Sequence, residues 1–310
     1  MRTSHHVIAL TALTLVATTY AGVTPITVVN PGFEDITGES PVNEFTFGPL
    51  NGWDLYEDPI GLTDGGNGPT FFIGTLTPFE DDPVGNPGVF VNFPDGAPVG
   101  NRVAIAFNFV GSDGIGTYGL QQTLADTLQP STMYTLEVEV GNITTGTAMS
   151  GQTFFLEGFP GYRVELLAGG QVLECDDNTL AGSIPDGEFA TSTVTFTTGT
   201  MHDQLDQPLG IRLINLNEID AMFPGSDLEV DFDDVRLTAM PVSLPCPWDC
   251  APAGGNSEVN IDDLLAVINA FGSMDTACDN APENGDGTFG NGIVNIDDLL
   301  GVINNFGACP

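Results

Sequence analysis

Beyond its first 21 residues the chain has no lysine, four arginines (Arg102, Arg163, Arg212 and Arg236) and one histidine, His202. Against 42 acidic residues, this scarcity of cations gives the 310-residue sequence a net charge of −37. A field of that sign repels phosphate, so nucleic acid and anionic membrane surfaces are excluded as partners. Divalent cations are the partners it invites, although scattered surface acids also serve solubility alone. One histidine, in the loop 200–203, leaves no material for a histidine-rich zinc site or a Ser-His-Asp triad. Long apolar runs are missing too. The uncharged stretch 7–19 follows Arg2 and is shorter than the roughly 20 residues that span a bilayer. With small residues around Ala21 it reads as a signal peptide over 1–21, which predicts a secreted, extracellular or cell-surface protein.

Cysteine is sparse until the end of the chain. Cys175 stands alone beside acids that disfavour a thiolate, whereas Cys246, Cys250, Cys278 and Cys309 crowd the last 65 residues. In an oxidising compartment these four make two disulfides. Pairing Cys246 with Cys309 would clasp the ends of the segment and leave Cys250 for Cys278, but three connectivities are open.

Helical periodicity is absent from residues 24–240, which read as short strands between Gly, Pro, Asn and Asp clusters. Tyr134, Leu136, Val138 and Val140 alternate with Thr135, Glu137 and Glu139; Tyr162, Val164 and Leu166 alternate with Arg163 and Glu165. Such alternation predicts strands with one core face and one wet face. Further strands are expected at 26–30, 71–76, 89–93, 102–109, 189–197, 209–216 and 228–238. Together they predict an all-β sandwich of two sheets with four or five strands each.

A 35-residue repeat follows: VNIDDLLAVINAFG at 259–272 returns as VNIDDLLGVINNFG at 294–307. Leu264, Leu265, Val267, Ile268 and Phe271, like Leu299, Leu300, Val302, Ile303 and Phe306, fall at helical spacing, and the two stripes are expected to pack on each other. Acids in each first turn suit a helix N-terminus, so capping alone explains them. Upstream, oxygen donors stand among glycines, as calcium requires. In the second copy these are Asp286, Asn291, the Ile293 carbonyl, Asn295 and Asp298. The first copy offers Asn256, Glu258, Asn260 and Asp263, with Pro252 at the first ligand position and Asp249 as an upstream substitute.

The repeat resembles the dockerin domains of bacterial secreted proteins, in a cysteine-containing variety marked by Cys246-Pro247-Trp248-Asp249-Cys250. That resemblance implies calcium-binding loop-helix units and docking onto a cohesin-like or other cell-surface receptor. The larger domain resembles galactose-binding-like, carbohydrate-binding-module-like jelly rolls through Asn30-Pro31-Gly32-Phe33-Glu34, Gly52-Trp53, Tyr134 and the closing run from Phe232 to Leu237. This implies a structural calcium ion shared by Glu34 and Asp233, and a polysaccharide partner stacked on aromatics such as Tyr56, Phe71, Phe72 and Tyr118.

The expected organisation is a signal peptide (1–21), a β-sandwich (22–240), a linker (241–247) and a dockerin-like α-helical domain (248–310). The expected function is that of a non-catalytic surface or matrix protein, not an enzyme. The alternative is a glycan-active hydrolase or lyase: Glu229, Asp231 and Asp233 put three carboxylates on one strand face, and paired carboxylates serve glycoside hydrolysis.

Overall fold

The structure is a computed structural model and describes residues 22–48, 50–57, 73–77, 92–110, 116–199, 201–242, 246–253, 255–274, 277–282 and 289–309. The leader, Phe71, Phe72, Asp286 and residues 89–91 of the strand expected at 89–93 lie outside these residues.

In chain order the strands are β1 (Thr24–Ile26), β2 (Ser40–Val42), β3 (Phe45–Phe47), β4 (Asp54–Glu57), β5 (Ile73–Leu76) and β6 (Val103–Asn108). Next come β7 (Tyr118–Thr127), β8 (Thr132–Asn142), β9 (Gly146–Thr147), β10 (Thr153–Phe154), β11 (Tyr162–Ala168) and β12 (Gln171–Asp177). The sandwich closes with β13 (Glu188–Thr197), β14 (Pro208–Asn215) and β15 (Leu228–Pro241). One antiparallel sheet runs β13-β8-β15-β6-β5-β3-β2, with β1 also on β15; the other runs β12-β11-β14-β7-β4. The fold is a jelly-roll-like β-sandwich, as the alternation predicts, with eight described strands in one sheet and five in the other.

Along β8 one face carries Tyr134, Leu136, Val138 and Val140, all buried in the core. The other face is half-exposed at Glu137 and Glu139 but buried at Gly141. The change from wet to dry along one face marks where further chain covers the sheet. Over Gly141 that cover is the rings of Phe93 and Phe189, and over the adjoining part of the sheet it is the short hairpin β9–β10 with its flanks. Glu44 holds it to the sheet edge by accepting the Met149 amide at 2.8 Å, and the Phe155 carbonyl accepts the Asp227 amide at 2.6 Å.

The C-terminal segment contains β16 (Glu258–Val259), α1 (Ile261–Ala270), α2 (Ile296–Asn304) and β17 (Gly307–Ala308). Both helices start where the repeat predicts. Asn260 and Asn295 cap them, with Asp263 and Asp298 closing reciprocal capping boxes. The expected mutual packing of the stripes is met only in part. Val267 and Val302 are buried, while Leu265, Ile268, Phe271 and their counterparts Leu300, Ile303 and Phe306 remain about half exposed. Disulfides join Cys246 to Cys309 and Cys250 to Cys278, one of the three open connectivities. With so few buried apolar residues, these cross-links bear much of the segment's stability.

Candidate active site

The covered face of the larger sheet encloses a cavity of about 590 Å³. Its position follows from strand pairing. A single row crosses the sheet as Phe189, Gly141, Asp231, Ile105, Gly74 and Phe47, each opposite the next. Glu229 stands opposite Phe107 in the neighbouring pair on the same face. Val230 and Phe232, between the acids, turn into the core instead.

Phenylalanines dominate the wall. Phe45 and Phe47 stack at 6.0 Å between ring centroids, Phe154 meets Phe45 edge-on at 6.0 Å and Phe107 at 5.7 Å, and Phe109 meets Phe107 at 4.7 Å. Ile105, Ile143 and Leu156 complete the apolar lining. Two polar liners, Ser40 and Gln152, are exposed, whereas Asn92 and Glu229 are buried. Glycine is required at Gly74, where an added Cβ would lie 1.8 Å from the backbone oxygen of Thr46.

The acids of this face are neither solvated nor paired. Glu229 is 5% exposed and Asp231 0%. Glu229 Oε1 and both carboxyl oxygens of Asp231 lack any hydrogen-bond partner. Burial, reinforced by the nearby Asp227, pushes the Glu229 carboxyl up to about 8. Burial and then Glu229 hold the Asp231 carboxyl well above its usual range. An apolar enclosure that keeps a carboxyl protonated near neutral pH makes it a proton donor. Glu229 and Asp231 thus share one strand face, as expected, but that face is roofed by apolar chain and not open to water.

Asp233, further along β15, has a different setting. Its oxygens accept the amides of Val99 and Asp234, both at 2.8 Å, while Glu34 Oε1 accepts those of Asn101 at 2.6 Å and Arg102 at 2.7 Å. The opening and closing segments thus meet over the loop 99–102. Burial, with Asp234 and Glu34 adding like charge, pushes Asp233 up to about 7.

In the C-terminal loops the expected ligands serve as internal caps. Asp263 accepts the Ala251 and Asn260 amides, and Asp298 those of Asn280, Ala281 and Asn295. The side-chain oxygens of Asn256, Asn260, Asn291 and Asn295 each accept the amide two residues on. The Ile293 carbonyl accepts from Asn295, and Glu258 is exposed. Of the two loop anchors, one was foreseen as an upstream substitute and the other was not. Asp249 binds the Asn256 and Ser257 amides, and Asp279, absent from the expected set, binds those of Asn291 and Gly292. Among the described residues one group of three potential ligands is close enough for a metal: Cys246, Asp249 and Cys309. Its two sulfurs are already joined to each other.

The sugar-stacking aromatics do not form a platform. Tyr118 is wholly buried, and Tyr56 lies under the Arg212 guanidinium, 4.6 Å from its ring centroid. Neither Asn92 nor the phenylalanine wall was singled out from the sequence. The usable signal was the alternation Phe45-Thr46-Phe47 and Phe107-Asn108-Phe109, which puts aromatic pairs on one strand face.

The family described as HpiC1-like, HpiC1 cyclase, matches residues 24–238. A cyclase from Fischerella sp. TAU is 38% identical, with a TM-score of 0.55 over 71% of this chain and 99% of that one. A Stig cyclase, Fisc, from the same organism was solved with (3Z)-3-(1-methyl-2-pyrrolidinylidene)-3H-indole. It is 36% identical, with a TM-score of 0.55 over 71% of this chain and 100% of its own. A structure of a cyclase from that organism in complex with 4-(1H-indol-3-yl)butan-2-one is 38% identical, covering 71% and 98%, with a TM-score of 0.54. No curated protein matches the chain.

These findings overturn the reading of a non-catalytic surface protein and of a protein that is not an enzyme. They also replace the cohesin-like receptor and the polysaccharide, since the similar proteins were solved with small indole compounds. The dockerin and calcium-loop reading of the C-terminal segment gains no support: the family match ends before the segment, and its expected ligands serve as caps on backbone amides.

Proposed function

The chain belongs to the HpiC1-like cyclase family, and from that premise we propose that it closes a ring in a small aromatic substrate by proton donation from Glu229. One observation carries the proposal: the buried carboxyl of Glu229, its Oε1 without a hydrogen-bond partner, lines a cavity walled, among the described residues, by five phenylalanines. Indole-type compounds are the substrate class supported by the ligands of the similar cyclases.

Glu229 donates its proton to an unsaturated position of the enclosed substrate. The resulting cation is attacked by a neighbouring double bond, a carbon–carbon bond forms, and a proton lost from the product returns to the Glu229 carboxylate. Substrate and product are therefore isomers. The phenylalanine faces stabilise the transient positive charge, and their exclusion of water prevents its capture as an alcohol. Asp231, at the next same-face position, adds a second buried carboxyl whose neutrality keeps anionic charge away from Glu229.

Incubation with indoles that carry alkenyl side chains, followed by mass spectrometry, tests the proposal. A product of unchanged mass with one double bond fewer is expected from the wild type, and not from Glu229→Gln. Equal turnover by both proteins refutes it.

Glu34 and Asp233 are the residues that would hold a Ca2+ ion. The fit rests on the donor set: two carboxylates drawn onto one loop, one of them buried with like charge beside it. Bound there, the ion would neutralise that repulsion and fasten the opening segment to the closing strand, with no part in proton transfer. A site of action outside the cytoplasm is proposed on the leader-like residues 1–21 and the two disulfides.

A further inference from the structure

We infer that Asn92 positions the substrate by accepting a hydrogen bond from an N–H on its aromatic ring system. The inference rests on the function proposed above and narrows its substrate class.

Asn92 is wholly buried and lines the cavity. Its amide nitrogen donates to the Thr144 carbonyl at 3.3 Å. That bond fixes which way the amide faces, since reversing it would set two carbonyl oxygens against each other. The remaining group is the amide oxygen, and it has no partner. Buried acceptors left unmatched are rare in native proteins and costly where they occur, so this oxygen points to a missing donor. The segment that carries it is firmly placed: Phe93 is fully buried, with its ring 4.2 Å from that of Phe189, and the Gly96 amide closes a turn onto the Phe93 carbonyl.

Among the described residues the lining has two buried polar side chains, and they are complementary. Glu229 in its acid form offers a hydrogen, and Asn92 offers only a lone pair. The other polar liners, Ser40 and Gln152, stand at the exposed mouth and impose no comparable demand. A ligand that satisfies the interior must therefore combine an apolar body, one hydrogen-bond donor and one protonatable position. A flat heteroaromatic ring with a ring N–H and an unsaturated arm meets all three conditions. Holding the N–H on Asn92 fixes the rotation of the ring, and so selects which carbon of the arm lies over Glu229.

The test compares binding of 4-(1H-indol-3-yl)butan-2-one with its benzofuran counterpart, in which oxygen replaces the N–H without added bulk. Titration calorimetry is run on the full chain. The wild type is expected to favour the indole by about tenfold or more, because the benzofuran leaves the Asn92 oxygen unmatched. Asn92→Leu is expected to bind the two compounds equally. The wild-type comparison stands without the variant, so a poorly folded variant does not blunt it. Equal binding of both compounds by the wild type, or a preference preserved in Asn92→Leu, overturns this inference alone. Binding of neither compound overturns the indole-type substrate class and this inference with it.

Discussion

Replacing Glu229 by glutamine keeps the size and polarity of the side chain and removes its acidic proton. The structure sets the size of the effect in two ways. For catalysis, loss of a positioned general acid costs about 10²- to 10⁴-fold in rate. Wild-type kcat/KM should also fall as pH rises through about 8, where the buried carboxyl ionises. For stability, the folded-state pKa lies above the ordinary value of 4.5. Between those two values the folded chain holds a proton that the unfolded chain has released. Stability therefore declines as pH rises across that window, by about 1.4 kcal/mol per unit at most, and levels off above it. Below the ordinary value both states are protonated and the penalty vanishes. Glutamine cannot ionise, so urea denaturation of Glu229→Gln from pH 4 to pH 9 should show a flatter dependence and greater stability at the alkaline end. A variant with near-normal turnover and an unchanged pH dependence of stability would refute the assignment of Glu229 as a buried acid.

Four further outcomes follow from other parts of the molecule. Gly74→Ala forces a Cβ against the Thr46 carbonyl, so it should separate β3 from β5, lower Tm and impair turnover through the displaced Phe45 and Phe47. Phe154→Ala removes a ring that contacts both Phe45 and Phe107; it should cost about 3–5 kcal/mol if the void stays empty, and product analysis should show more water-quenched alcohol. Calcium should raise the Tm of chelator-treated protein, and Glu34→Ala should abolish the rise; no shift in the wild type would exclude the ion. Reducing the two disulfides should loosen the C-terminal segment, seen as faster proteolysis there, and leave cyclisation unaffected because every described residue lining the cavity belongs to the sandwich.

The strictly alternating runs were legible from the sequence, since 134–140 and 162–166 fall within β8 and β11, and the further candidates 189–197, 209–216 and 228–238 lie within two or three residues of β13, β14 and β15. β7 escaped notice although it is ten residues long, because Gly119 and the adjacent Gln121 and Gln122 break the apolar rhythm. Buried Gln122 explains its own presence, since its side chain bonds both the amide and the carbonyl of Val29. The acids of β15 were visible as a same-face set, but their meaning depended on what covers them. That cover comes from residues 143–156, far away in the chain, and no local pattern announces that a strand's polar face will be roofed. The C-terminal helices show the opposite case, where a clear repeat fixed the helix starts but not the task of the loop oxygens. Asp279 supports its loop across a span lengthened relative to that of Asp249, so counting from the helix could not reach it.

The hairpin that roofs the cavity is joined to the sheet by few bonds, whereas Glu229 stands on the long strand β15, near its start, and is held there by pairing to β6. Insertions or substitutions in residues 143–156 can therefore reshape the void without disturbing the ladder that holds Glu229. Evolutionary drift in such a molecule would change which ring is made sooner than it would extinguish the chemistry that makes it.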